Sequence, residues 1–142
     1  MIGFVGGFVR STDLRQSEVR LARHLRAPYG DAVEVRVFKN RERAKAREAV
    51  LGWFNALDTS TMTSVERPEP RIILFGHSWG GSAVVYLARE LEQDRIPITL
   101  TIQIDSDRKH GQDDSIIPAN VAEAFLSSQR AHSWPLQNHG SS

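Results

Sequence analysis

Two short runs, Ile2-Gly-Phe-Val5 and Ile72-Ile-Leu-Phe75, stay apolar to their ends and then stop at glycine. A strand covered on both faces reads this way, because neither side of its pleat meets water. Two further runs, Val33-Glu-Val-Arg-Val-Phe38 and Ile98-Thr-Leu-Thr-Ile-Gln-Ile104, alternate instead, as half-buried strands do. Helical periods separate them. Leu14 to Ala27 carries apolar residues at 14, 21, 22 and 25, with Asp13 three residues before Gln16 as a capping pair and Pro28-Tyr-Gly-Asp31 as the stop. Ala46, Ala49, Val50, Trp53, Phe54 and Leu57 keep i, i+3, i+4, i+7 spacing. Val84, Leu87, Ala88 and Leu91 line a third face, and Pro118 opens a predicted fourth helix with Val121, Ala122, Phe125 and Leu126.

Strand and helix in strict alternation predict a parallel sheet with helical crossovers, an α/β three-layer sandwich. The alternating strands should flank the apolar ones, giving the order 33-38, 2-5, 72-75, 98-104 for about four strands. Ligands of such sheets sit at the carboxyl ends of the strands, where the order reverses. The turns after Val5 and Phe75 both fall there. Residues 58–70 are polar and read as a surface loop; the chain from about Arg130 is polar without a period, so the expected domain covers 1–130 and a flexible tail covers 131–142.

Composition excludes more than it selects. With 142 residues, one domain is expected. Lys and Arg number 18 against 17 Asp and Glu, so charge gives no reason to expect nucleic acid as a partner. The chain has no cysteine, which removes disulfides, thiolate metal sites and thiol nucleophiles, and no cofactor or metal is expected. No apolar run approaches the length of a membrane span, and a cytoplasmic protein is the default expectation.

The chemistry-bearing stretch is Gly76-His77-Ser78-Trp79-Gly80-Gly81, at a strand-to-helix junction. Glycines two before and two after a serine suit a sharp bend that lifts the hydroxyl above the sheet, since larger side chains would strike the neighbouring strand or helix. Ser78 is then a candidate nucleophile and the Trp79 N–H a candidate oxyanion donor; in the plainer reading Ser78 caps a helix after a glycine turn. The second donor is expected from the loop Gly6-Gly7-Phe8-Val9, at Gly7 or Phe8, unless those glycines simply make a turn. Asp105, directly after the strand at 98–104, is the candidate acid; Asp107, Asp113 and Asp114 compete, and a loop carboxylate capping N–H groups is the alternative.

These residues, together with Ile104-Asp105-Ser106 and Ile117-Pro118-Ala119-Asn120-Val121, resemble the α/β-hydrolase superfamily and its lipase-like bacterial members. The resemblance implies a triad in the order serine, acid, histidine, hence Ser78, Asp105 and a later histidine. His132 and His139 follow in the right order, though no strand precedes either, and family members normally continue with further strands, so the chain reads as a shortened hydrolase. His24 reads as a helical surface residue, His77 as a packing or supporting residue of the bend, and His110 as a loop residue. Two functions follow: a serine hydrolase cleaving a small-molecule ester or thioester through an acyl-serine intermediate, or a catalytically weak hydrolase-like binding domain without the triad histidine.

Two surface expectations complete the reading. Arg41-Glu-Arg-Ala-Lys-Ala-Arg47 mixes charges along a helix and reads as a solvated face, with Trp53 and Phe54 on the core side. Trp79 is expected either in an acyl pocket or over the sheet edge. Unpaired sheet edges invite pairing with another chain, so either a homodimer or poor solubility of the isolated chain is expected.

Overall fold

The computed structural model describes residues 1–58, 70–106 and 113–128. Five strands form one sheet: β1 (Ile2–Val5), β2 (Arg36–Lys39), β3 (Ile73–His77), β4 (Ile98–Ile104) and β5 (Val121–Ser127). Three helices join them: α1 (Ser17–Tyr29), α2 (Arg43–Asp58) and α3 (Trp79–Gln93). The strand order is β2-β1-β3-β4-β5, and every neighbouring pair is parallel. The expected order of the first four strands therefore holds, in an α/β architecture with one strand more than predicted.

The sheet separates two cores of unequal size. Ile2, Phe4, Leu74 and Ile98 pack against Ala46 and Val50 of α2 and Val84, Leu87, Ala88 and Leu91 of α3. Among the described residues, thirteen buried ones join this cluster, against three (Ala22, Val35 and Phe75) in the cluster that includes α1. A fully buried Leu, Val or Phe contributes about 1.5–3 kcal/mol. The α2/α3 face thus supplies most of the apolar stabilisation and fixes the elements that carry the site.

The last strand is the main correction. Residues 121–127, predicted as a helix, run as β5 parallel to β4, from Ile98 opposite Val121 to Ile104 opposite Ser127. Seven residues cannot separate the two periods by themselves, and here the open edge of β4 decides. Pairing satisfies that edge, as where Ile98 N–H donates to Asn120 O at 2.8 Å and Asp105 N–H to Ser127 O at 2.7 Å. Pro118 makes a turn instead of a first helical turn: its carbonyl accepts from Val121 N–H at 3.2 Å.

Smaller differences have equally local causes. α1 starts at Ser17 and contains Pro28, while Asp13 binds the backbone N–H and guanidinium of Arg15 instead of capping the helix. That binding holds the Asp13 carboxyl down at about 2. In β4, the Thr99 and Leu100 N–H groups both donate to Ile72 O, at 2.8 and 3.4 Å, and the register with β5 skips Thr99. The irregularity shifts the parity of the strand. Thr101 and Gln103 become buried while Ile104 is exposed.

Candidate active site

β3 leads straight into α3 through one residue, Ser78, at φ 55° and ψ −125°. Such a backbone costs a side-chain-bearing residue about 1–3 kcal/mol, so it persists only where the surroundings enforce it. The surroundings are glycines under backbone. A Cβ on Gly76 would strike the Gly80 carbonyl, and one on Gly80 would strike the Phe4 carbonyl of β1. Ser78 N–H donates to Ile104 O of β4 at 2.9 Å, and Gly81 N–H returns to Ser78 O at 2.9 Å as the first bond of α3. The bend is thus hydrogen-bonded to β4 on one side and packed closely on β1 on the other, with the Ser78 side chain half-exposed at the carboxyl edge of the sheet.

The loop after β1 closes on this bend. A Cβ on Gly6 would lie 2.8 Å from the His77 carbonyl oxygen and 3.6 Å from Ser78 Oγ, so only glycine admits the backbone so near the hydroxyl. Gly7 follows at φ 60° with open space around it, and its carbonyl accepts from the Asn40 amide at 2.8 Å. Phe8 is 89% exposed, and its ring meets Trp79 edge-on with centroids 5.5 Å apart. Trp79 is the first residue of α3, where the amino end of a helix presents N–H groups and a partial positive charge. The structure therefore brings Ser78, Trp79, Gly7 and Phe8 to one place.

Asp105 arrives from the neighbouring strand. It follows β4 at φ 44°, and its Oδ2 stands 3.8 Å from Nε2 of His77. Serine and carboxylate thus share one edge, while the imidazole facing the carboxylate is that of the residue before the serine. His24 lies exposed on α1. The predicted bases His132 and His139, like His110 and Asp107, lie outside the described residues. No group of three metal-ligating side chains converges among the described residues.

Sequence reasoning missed what anchors the acid's loop. Asp114, entertained only as a rival acid, is 5% exposed and accepts from Ser82 Oγ of α3 at 2.7 Å and from Ser106 Oγ at 2.6 Å. Ser106 also packs over Gly81, where a Cβ would come within 2.9 Å of its own. A buried carboxylate held by hydroxyls ties the segment after Asp105 to the helix that follows Ser78. The signal was a separation of 32 residues between Ser82 and Asp114, which no local pattern encodes.

The basic stretch likewise does more than face water. Arg43 Nε reaches Glu90 at 3.2 Å and its guanidinium lies over Tyr86, while Arg47 grips both Asp94 oxygens at 2.7 and 2.5 Å. Helices α2 and α3 are clasped together, with a groove of about 640 Å³ between them that reaches Trp79.

No family model matches the chain, and comparison with curated proteins and with solved structures gave no match. No helix among the described residues is long and apolar enough to cross a membrane.

Proposed function

We propose that the protein is a serine hydrolase of α/β-hydrolase type that cleaves a carboxylic ester or thioester through an acyl-serine intermediate. The observation that carries this reading is the backbone of Ser78, bent at φ 55° between β3 and α3 with glycine forced at 76 and 80. Strain of this kind has a use where a hydroxyl must stand clear of the sheet.

In this mechanism Ser78 Oγ attacks the carbonyl carbon and its proton passes to an imidazole, for which His132 and His139 are the candidates. The carbonyl oxygen takes the negative charge and is held by the N–H of Trp79 and that of Gly7 or Phe8. Collapse expels the alcohol or thiol, which takes the proton, and water then releases the acid from the serine. Asp105 orients and stabilises the imidazolium. The approach of Gly6 to Ser78 supports this assignment, because the candidate donors Gly7 and Phe8 follow it directly in the chain.

The test is a p-nitrophenyl ester burst together with fluorophosphonate labelling. Ser78 should carry the label, and Ser78→Ala should lose it along with roughly 10³-fold or more in kcat. Alanine at 132 or at 139 should cost a similar factor for the one that serves as base. A wild-type chain that neither bursts nor labels favours the second reading, a hydrolase-like domain that binds a ligand in the cleft. The approach of Asp105 to His77 supports that alternative, since it gives the carboxylate an imidazole within the bend itself.

A further inference from the structure

The groove between α2 and α3 has no part in bond cleavage as described, yet Trp79, the residue after Ser78, lines it. Its volume of about 640 Å³ lies within the range of small-molecule sites. Three arginines, 41, 43 and 47, stand in its wall. Two are committed: Arg43 to Glu90 and Tyr86, Arg47 to Asp94. Arg41 is exposed and makes no ion pair or hydrogen bond with the described residues.

Arg41 is also placed by its neighbour. Asn40 is 8% exposed and donates to the Gly7 carbonyl at 2.8 Å, and Gly6 lies against Ser78. The chain of contacts Ser78, Gly6, Gly7, Asn40 brings the segment that carries Arg41 toward the site, and Arg41 and Trp79 line the same groove. One uncommitted guanidinium, on the same cavity as an aromatic ring, suits a ligand with an apolar stem and one anionic end. Glu48 in the same wall disfavours a second negative charge, which selects a carboxylate over a phosphate dianion.

We infer that the groove takes the acyl part of the substrate, that this part ends in a carboxylate, and that Arg41 is the specificity-determining residue that receives it. The inference rests on the hydrolase reading for its chemistry, and its binding arm is independent of that reading. In the kinetic arm, p-nitrophenyl half-esters of adipic and suberic acid are compared with the hexanoate and octanoate. At least one half-ester should be preferred by about tenfold in kcat/KM, mainly through KM. Arg41→Gln should erase that ratio and Arg41→Lys should restore part of it.

In the binding arm, suberic acid monoamide, which keeps the carboxylate and has no scissile ester, is titrated calorimetrically into Ser78→Ala. The dissociation constant should rise about tenfold when Arg41→Gln is added. Arg41-dependent binding without any ester turnover sinks the hydrolase reading and leaves the groove standing. Ester turnover with no preference for the half-esters, with a preference that survives Arg41→Gln, or with no binding of the monoamide overturns the inference and leaves the hydrolase standing.

Discussion

The bend at Ser78 and the strand β5 are specified in opposite ways. At the bend, each glycine is enforced by backbone a few ångströms away: Gly76 by Gly80, Gly80 by Phe4, Gly6 by His77. β5 is exposed along most of its length, with Phe125 at 56% and Leu126 at 58%; among the described residues it pairs with β4 and reaches the core through Val121. Close sterics leave a signature in sequence because few residue types fit. An edge strand leaves almost none, because pairing asks only for backbone.

The largest effect should come from crowding the bend. Gly80→Ala drives a methyl into the Phe4 carbonyl and should cost about 3 kcal/mol in urea denaturation. Gly52→Ala is the control, since a methyl there, in α2, meets open space and should add about 0.5–1 kcal/mol. Equal midpoints for the two variants would show that the bend is not sterically closed. Ser78 offers the converse test. Ser78→Gly removes the strained side chain and should be about 1 kcal/mol more stable than Ser78→Ala, while neither takes the fluorophosphonate label.

β5 should tolerate what the bend does not. Leu126→Lys or Phe125→Lys should shift stability by no more than about 0.5 kcal/mol, because both side chains already face water. Their effect should appear in association. Sedimentation of the wild type is expected to show a homodimer joined through this edge, which either lysine splits. A wild-type monomer at every concentration would remove the edge as an interface.

This contrast marks what was legible in the sequence. The order of β2, β1, β3 and β4 followed from which runs were apolar throughout and which alternated. The meeting of Ser78 with Gly6, Gly7 and Trp79 followed from glycine spacing at two strand ends. β5 did not follow, because Val121-Ala-Glu-Ala-Phe-Leu-Ser127 fits either period and its partner lies about twenty residues away. Nor did the burial of Thr101 and Gln103, which depends on an irregular pairing at Thr99, or the anchoring of Ser82 and Ser106 by Asp114. Such features belong to contacts between distant segments. The proposed acid was reached by sequence, and its approach to His77 was not.

The smallest expected effect tests the clasp behind the site, where charge and not steric fit joins two elements. Arg47 hydrogen-bonds the Asp94 carboxylate and holds it below its ordinary range. A carboxyl depressed in the folded state adds stability that is present above its unfolded pKa of about 4 and fades as pH falls through the folded value. Both groups sit at the surface, so the gain is modest and screened by salt. Asp94→Asn should therefore lower the urea midpoint slightly at pH 7, and the gap to wild type should close as pH is taken below about 4. Gly80→Ala should keep its full deficit over the same range, because a methyl against a carbonyl does not titrate. A gap for Asp94→Asn that is constant down to the lowest pH would mean that the Arg47 contact does not act through charge, and the groove it closes would then rest on packing between α2 and α3.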